Sequence, residues 1–163
     1  MKNIFNIAII FASIPISVSI AADYVYPTVK GTNIRDYSKP GYKIEKDSNG
    51  KTYAYPTLKG TNVRDYSKSG YRIEKDSKGN SYAFPTLKGT NVRDYSNSGY
   101  KIEHNSSGNT VIKPTQNGST LIDYNQPGYI IATDSNGNLI INPTLKGTSV
   151  RDYSKSGFII QKN

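Results

Sequence analysis

The stretch Pro56-Thr57-Leu58-Lys59-Gly60-Thr61-Asn62-Val63-Arg64-Asp65-Tyr66-Ser67-Lys68-Ser69-Gly70-Tyr71-Arg72-Ile73-Glu74-Lys75-Asp76-Ser77-Lys78-Gly79-Asn80-Ser81-Tyr82-Ala83 is written, with substitutions, over and over along the chain. Its proline returns at Pro27, Pro56, Pro85, Pro114 and Pro143, a step of 29 residues that never slips. Gly31, Gly60, Gly89, Gly118 and Gly147 keep the same step, as do Asp36, Asp65, Asp94, Asp123 and Asp152. A fixed period in this range implies a repeat architecture whose units bury apolar surface mainly against their neighbours. Units begin at residues 27, 56, 85, 114 and 143. The last is short, and residues 22–26 match the closing strand it lacks.

Within the quoted stretch, Tyr71-Arg72-Ile73-Glu74-Lys75 alternates ring or aliphatic side chain with charge, the period of a half-buried strand. Asp76-Ser77-Lys78-Gly79-Asn80 carries turn chemistry, and Ser81-Tyr82-Ala83-Phe84 alternates again. Strand, glycine turn and strand predict a β-hairpin, repeated over residues 42–55, 100–112 and 129–141. The expected fold is an all-β repeat protein of five units, each a hairpin plus a loop or short helical turn. Pairing the first strand with the last would close these units into a ring and remove two exposed edges. An open solenoid of hairpins is the alternative.

The second half of the unit is harder to read. Val63 and Tyr66 stand three apart, as on a helical turn, with an Asx-turn or a third strand as the alternatives. Asn62 before Val63 and Asp65 after it resemble a capping box. Gly41, Gly70, Gly99, Gly128 and Gly157 fall where a left-handed helix terminator would sit.

Met1-Lys2-Asn3, the apolar run from Ile4 to Ile20 and the small residues Ser19, Ala21 and Ala22 read as a secretory signal over residues 1–21. Residues 22–163 then form a single repeat domain, exported to the periplasm or to the cell surface and beyond, with no transmembrane segment expected in it. The chain has no cysteine, so disulfides cannot stabilise it. A net charge of +9 favours disorder, but fourteen tyrosines can each bury a large ring.

Catalysis is hard to place. His104 is the only histidine, and without cysteine a zinc site lacks ligands. The serines have no histidine base within the repeat. Turns such as Asp47-Ser48-Asn49-Gly50 lack the further carboxylates of a calcium loop. No enzyme activity, metal or cofactor is therefore expected.

What recurs is a basic and aromatic set. Lys30, Lys59, Lys88 and Lys146 stand beside the first glycine of their units. Arg35, Arg64, Arg93 and Arg151 stand two residues before Tyr37, Tyr66, Tyr95 and Tyr153. Arginine with tyrosine can stack on a ring and fork onto a phosphate, sulfate or carboxylate. The fourth unit has Asn117 for the lysine and Ile122 for the arginine, yet keeps Gly118, Asp123 and Tyr124. The charged positions are thus dispensable to the frame, which points to exposed side chains. These residues make up the candidate site of a binding module for an anionic partner: an acidic glycan, a lipid head group or an acidic protein surface. Nucleic acid is disfavoured for an exported chain. The alternative is a scaffold protein with no small ligand.

Overall fold

The computed structural model describes residues 23–160, and the leader expected over residues 1–21 lies outside them. The described chain is all β, with no helix. Its strands are β1 (Asp23–Pro27), β2 (Tyr42–Lys46), β3 (Thr52–Pro56), β4 (Tyr71–Lys75), β5 (Ser81–Pro85), β6 (Ser98–His104), β7 (Thr110–Asn117), β8 (Tyr129–Thr133), β9 (Leu139–Pro143) and β10 (Phe158–Ile160). Each pairs antiparallel with its sequence neighbours, and β1 pairs with β10, giving a closed barrel. The ring expectation holds and the open solenoid does not.

One register runs right round the barrel. Tyr42 faces Pro56, Tyr71 faces Pro85, Tyr100 faces Pro114 and Tyr129 faces Pro143. Phe158 faces Pro27 across the closure in the same way. Walking from Ile44 to Ala54 and on to Tyr71 steps the register by two residues, since Ile73 is the counterpart of Ile44. Five such steps give a shear of ten residues for ten strands. Equal shear and strand number set a tilt of about 36°, as in eight-stranded barrels of shear eight.

Alternation places Tyr42, Tyr71, Tyr100, Tyr129 and Phe158 in the interior core, above a layer of Ile44, Ile73, Ile102, Ile131 and Ile160. A barrel wider than eight strands needs bulky side chains to fill it, and the tyrosine layer supplies them. The outer wall carries Lys43 paired with Glu45, Arg72 with Glu74, and Lys101 and Lys113 with Glu103. Rings that alternate outward also stack along the wall, Tyr53 on Tyr55 and Tyr82 on Phe84 at 5.9 Å.

The hairpin turns at one end form as their sequences predict. Asp47 Oδ1 accepts from the backbone N–H groups of Asn49 and Lys51, both at 2.9 Å, and Gly50 takes a φ of +74°. The longer connections cluster at the other end, and there the expected helical turn is absent. In each, the chain folds back on itself, bridging Thr28 to Arg35, Thr57 to Arg64, Thr86 to Arg93, Thr115 to Ile122 and Thr144 to Arg151. The capping box is absent too. Asp65 Oδ1 accepts from the Ser67 N–H at 3.0 Å and its hydroxyl at 2.6 Å, an Asx-turn that faces forward along the chain. The Val63–Tyr66 spacing therefore reflects a tight turn, which helical periodicity mimics over three residues.

Gly41, Gly70, Gly99, Gly128 and Gly157 are not left-handed terminators either, since none of them has a positive φ. They are glycine because the neighbouring strand leaves no room. A Cβ at Gly128 would come closer than 3.0 Å to the Ile112 carbonyl oxygen, and the other four meet the equivalent carbonyl. The approach is held by a fully buried threonine. The N–H of Gly41 donates to Thr57 Oγ1 at 3.0 Å, and the Gly41 carbonyl accepts from the Thr57 N–H at 2.9 Å. The same clamp joins Gly157 to Thr28 across the closure.

Candidate functional site

The long connections surround an open mouth at the proline ends of the strands. Its cavity measures about 1130 Å³. Tyr71, Tyr100, Tyr129 and Phe158 form the floor, and Pro27, Pro85, Pro114 and Pro143 the throat. Lys30, Lys39, Lys68, Lys88 and Lys155 stand around the rim with Asn97, Asn117 and Gln126, and among the described residues no carboxylate lines the cavity. Burial pushes the Tyr71 and Tyr100 phenols above the usual tyrosine range, so the floor is neutral hydroxyl and ring surface.

The expected lysines divide. Lys30 and Lys88 line the mouth; Lys59 and Lys146 are exposed on the matching loops but outside its lining. Among the described residues none of the four has a carboxylate within ion-pair distance. The sequence reading missed a second set, Lys39, Lys68, Asn97, Gln126 and Lys155, all on the rim. Their signal was available: a long polar side chain stands two residues before each of Gly41, Gly70, Gly99, Gly128 and Gly157. Three of them are partly neutralised, Lys39 by Asp36 at 3.0 Å, Lys68 by Asp65 at 3.2 Å and Lys155 by Asp152 at 3.0 Å.

The arginines are elsewhere, and they are half-buried rather than exposed. The Arg64 guanidinium lies 3.4 Å from the Tyr55 ring centroid and 4.4 Å from that of Tyr66, a sandwich of two rings. Arg35 sits likewise between Tyr26 and Tyr37, and Arg93 between Phe84 and Tyr95. Arg151 stacks on Tyr153 at 4.5 Å, and Asn142 stands where the other ring would be. Arg93 also donates to the Gly118 carbonyl of the next loop at 3.3 Å. The outer rings Tyr37, Tyr66, Tyr95 and Tyr153 remain well exposed.

Ile122 takes on a different meaning here. Where the arginine becomes Ile122, the inner ring becomes Lys113, whose Nζ bonds Glu103 at 2.6 Å. Cation and apolar group have changed places between facing positions. The charge was moved, which the arginine positions read alone did not reveal. His104 is exposed at the opposite, turn end, with its Nδ1 3.3 Å from the Thr110 hydroxyl.

The aspartates of the long connections give the protein an acid limit. Hydrogen bonds from Ser38 and then Lys39 hold Asp36 down to about 2. Asp65, Asp94 and Asp152 are lowered as well, chiefly by Ser67, Ser96 and Ser154. A depressed carboxylate stabilises the fold above its unfolded pKa, near 3.9, and stops doing so as pH falls through its folded value. Thermal stability should hold from neutrality to about pH 4 and then fall steadily towards pH 2. A melting series in pH steps checks this; a fall beginning near pH 6 would contradict it.

A scan of protein-family models and searches of curated proteins and of solved structures found no match to this chain. Fold and rim chemistry define its class: a closed antiparallel barrel of hairpins with a basic mouth at one end.

Proposed function

We propose that the protein is an exported repeat barrel that binds an anionic partner at its mouth, in the cell envelope or outside the cell. In this reading it consists of five 29-residue units, the last completed by residues 22–26. One observation carries the functional part: among the described residues, five lysines and no carboxylate line the cavity. Anionic groups of a glycan, a lipid head group or a protein surface would meet Lys30 and Lys88 in the mouth, and Lys59 and Lys146 on the loops beside it. The tyrosine floor adds hydroxyls and ring faces. The arginines contribute by fixing the loops, and Tyr37, Tyr66, Tyr95 and Tyr153 offer their exposed faces beside the rim. The role is binding, with no catalytic centre.

The test is retention on dextran sulfate over a salt series. The wild type should be held and released by salt. Replacing Lys30, Lys59, Lys88 and Lys146 with glutamine should weaken binding and flatten the log-log salt slope, by about one unit for each ammonium that no longer meets an anionic group. A wild type that is not retained, or a variant that binds unchanged, would refute the reading. The pairing of Lys39, Lys68 and Lys155 with aspartates favours a second reading, a scaffold whose charges mainly serve its own loops. Concentration-dependent assembly without retention would support that one.

A further inference from the structure

We infer that the anionic partner is a lipid bilayer surface, on which the loop end of the barrel lies flat with its lysines at the phosphates and its aliphatic tips among the acyl chains. The inference rests on the anionic-partner reading and specifies it.

Three observations lead there. Every exposed large hydrophobic side chain among the described residues lies in the long connections at the mouth end. Ile34, Val63, Val92, Leu121 and Val150 are the clearest, 58–68% exposed, one on each loop. Their identity varies while their aliphatic character does not, and Leu121 keeps it in the stretch where Asn117 and Ile122 depart from the other loops. Solvent-facing aliphatics recur at five matching places, all on the loops of one end, which chance scatter of surface apolar residues does not produce.

Second, the loops are fixed relative to one another. Arg64 reaches towards the Gly89 carbonyl of the next loop, and Arg93 bonds that of Gly118. Tyr26 donates to Asn62 at 3.2 Å and Tyr55 to Asn91 at 2.8 Å. Lys39 donates to Ser156 at 3.2 Å, linking the first loop to the last. The aliphatic residues therefore occupy matching places on five linked loops around one closed barrel end. A planar partner meets all of them at once, whereas a partner without that symmetry meets one or two.

Third, Lys30, Lys59, Lys88 and Lys146 accompany the tips, each four residues before an aliphatic residue and without a carboxylate partner. Aliphatic groups, tyrosines and lysines together are the composition of an interfacial anchor, in which the ammonium groups reach phosphate while the apolar groups enter the acyl boundary. Positive charge on the same end opposes pairing of two copies mouth to mouth. The ion pairs on the outer wall and the five to eight residues of each strand from β2 to β9 fit a barrel resting on a bilayer, since spanning takes strands of about 9–11.

The chain has no tryptophan, so an introduced one reports its own surroundings. The experiment uses Val63→Trp protein purified from the exported fraction, with vesicles of phosphatidylcholine alone or containing phosphatidylglycerol, and with dextran sulfate. Emission should shift to the blue and be quenched by brominated acyl chains on the phosphatidylglycerol vesicles only. Dextran sulfate should bind without that shift. In a second variant, serine replaces Ile34, Val63, Val92, Leu121 and Val150. It should lose about tenfold or more in vesicle affinity while its dextran sulfate retention stays as in wild type. Retention by dextran sulfate with no vesicle binding, or vesicle binding without a blue shift, would overturn the membrane inference and leave the anionic mouth intact. Retention by neither would overturn both. Capture by an acidic protein in place of the vesicles would assign the rim to a protein partner and end the inference.

Discussion

Replacing Gly128 with alanine should destabilise the barrel by about 3 kcal/mol or more, enough to unfold much of a marginally stable domain. The added methyl would fall closer than 3.0 Å to the Ile112 carbonyl oxygen, and neither side can retreat. The Gly128 N–H is fixed to Thr144 Oγ1 at 3.1 Å, and its carbonyl to the Thr144 N–H at 2.9 Å. Relief of the clash would break this clamp and leave buried polar groups unpaired. Gly79→Ala makes the contrast. Gly79 has a φ of +81° and open space where a Cβ would go, so alanine there should lose only about 1–2 kcal/mol of backbone preference. Urea unfolding of the two variants separates the reasons for glycine. Equal losses would show that the close approach of strands is not what Gly128 serves.

Tyr100→Ala is the second large effect, at about 3–5 kcal/mol by the rule for buried aromatics. Its ring is 5% exposed and meets Tyr71 edge to face at 6.2 Å, in the layer that fills the barrel beneath the mouth. Truncation opens a hole that the strands, held by closure, cannot collapse to fill. Tyr100→Phe should lose at most about 1 kcal/mol, the ceiling set by the usual net worth of one hydroxyl hydrogen bond. Phe158 already occupies the matching place in this layer. Chemical denaturation of both variants measures the difference. A loss below about 1 kcal/mol for Tyr100→Ala would mean that the interior is not packed by this layer.

The hairpins were legible because their cause is local. Tyr71-Arg72-Ile73-Glu74-Lys75 alternates, Gly79 allows the turn, and both facts stand within a few residues. Closure was legible as a missing half, since residues 22–26 match the strand the last unit lacks. What the sequence hid depends on residues far apart. Gly70 resembles a helix terminator until the Ala54 carbonyl, sixteen residues upstream, is seen against it. Arg64 beside Tyr66 suggested a platform for a ligand, but Tyr55 on the neighbouring strand completes a sandwich around the guanidinium. Lys68 was passed over because its place on the rim follows from closure. The mouth exists only once β1 and β10 meet, so its residues cannot be collected from any single repeat.

The mouth depends on closure, and a cysteine pair at Val25 and Ile160 tests closure most directly. These residues face each other across β1 and β10. Directly opposed residues of antiparallel strands lie within the range a disulfide spans, about 4.4–6.8 Å between Cα atoms. The chain has no other cysteine to compete. Mild oxidation of the folded double variant should give an intramolecular disulfide in the monomer, seen as a faster band on a non-reducing gel and a linked peptide pair by mass spectrometry. Free thiols in the folded monomer, or crosslinks only between molecules, would show that the two end strands do not pair and that the mouth does not form.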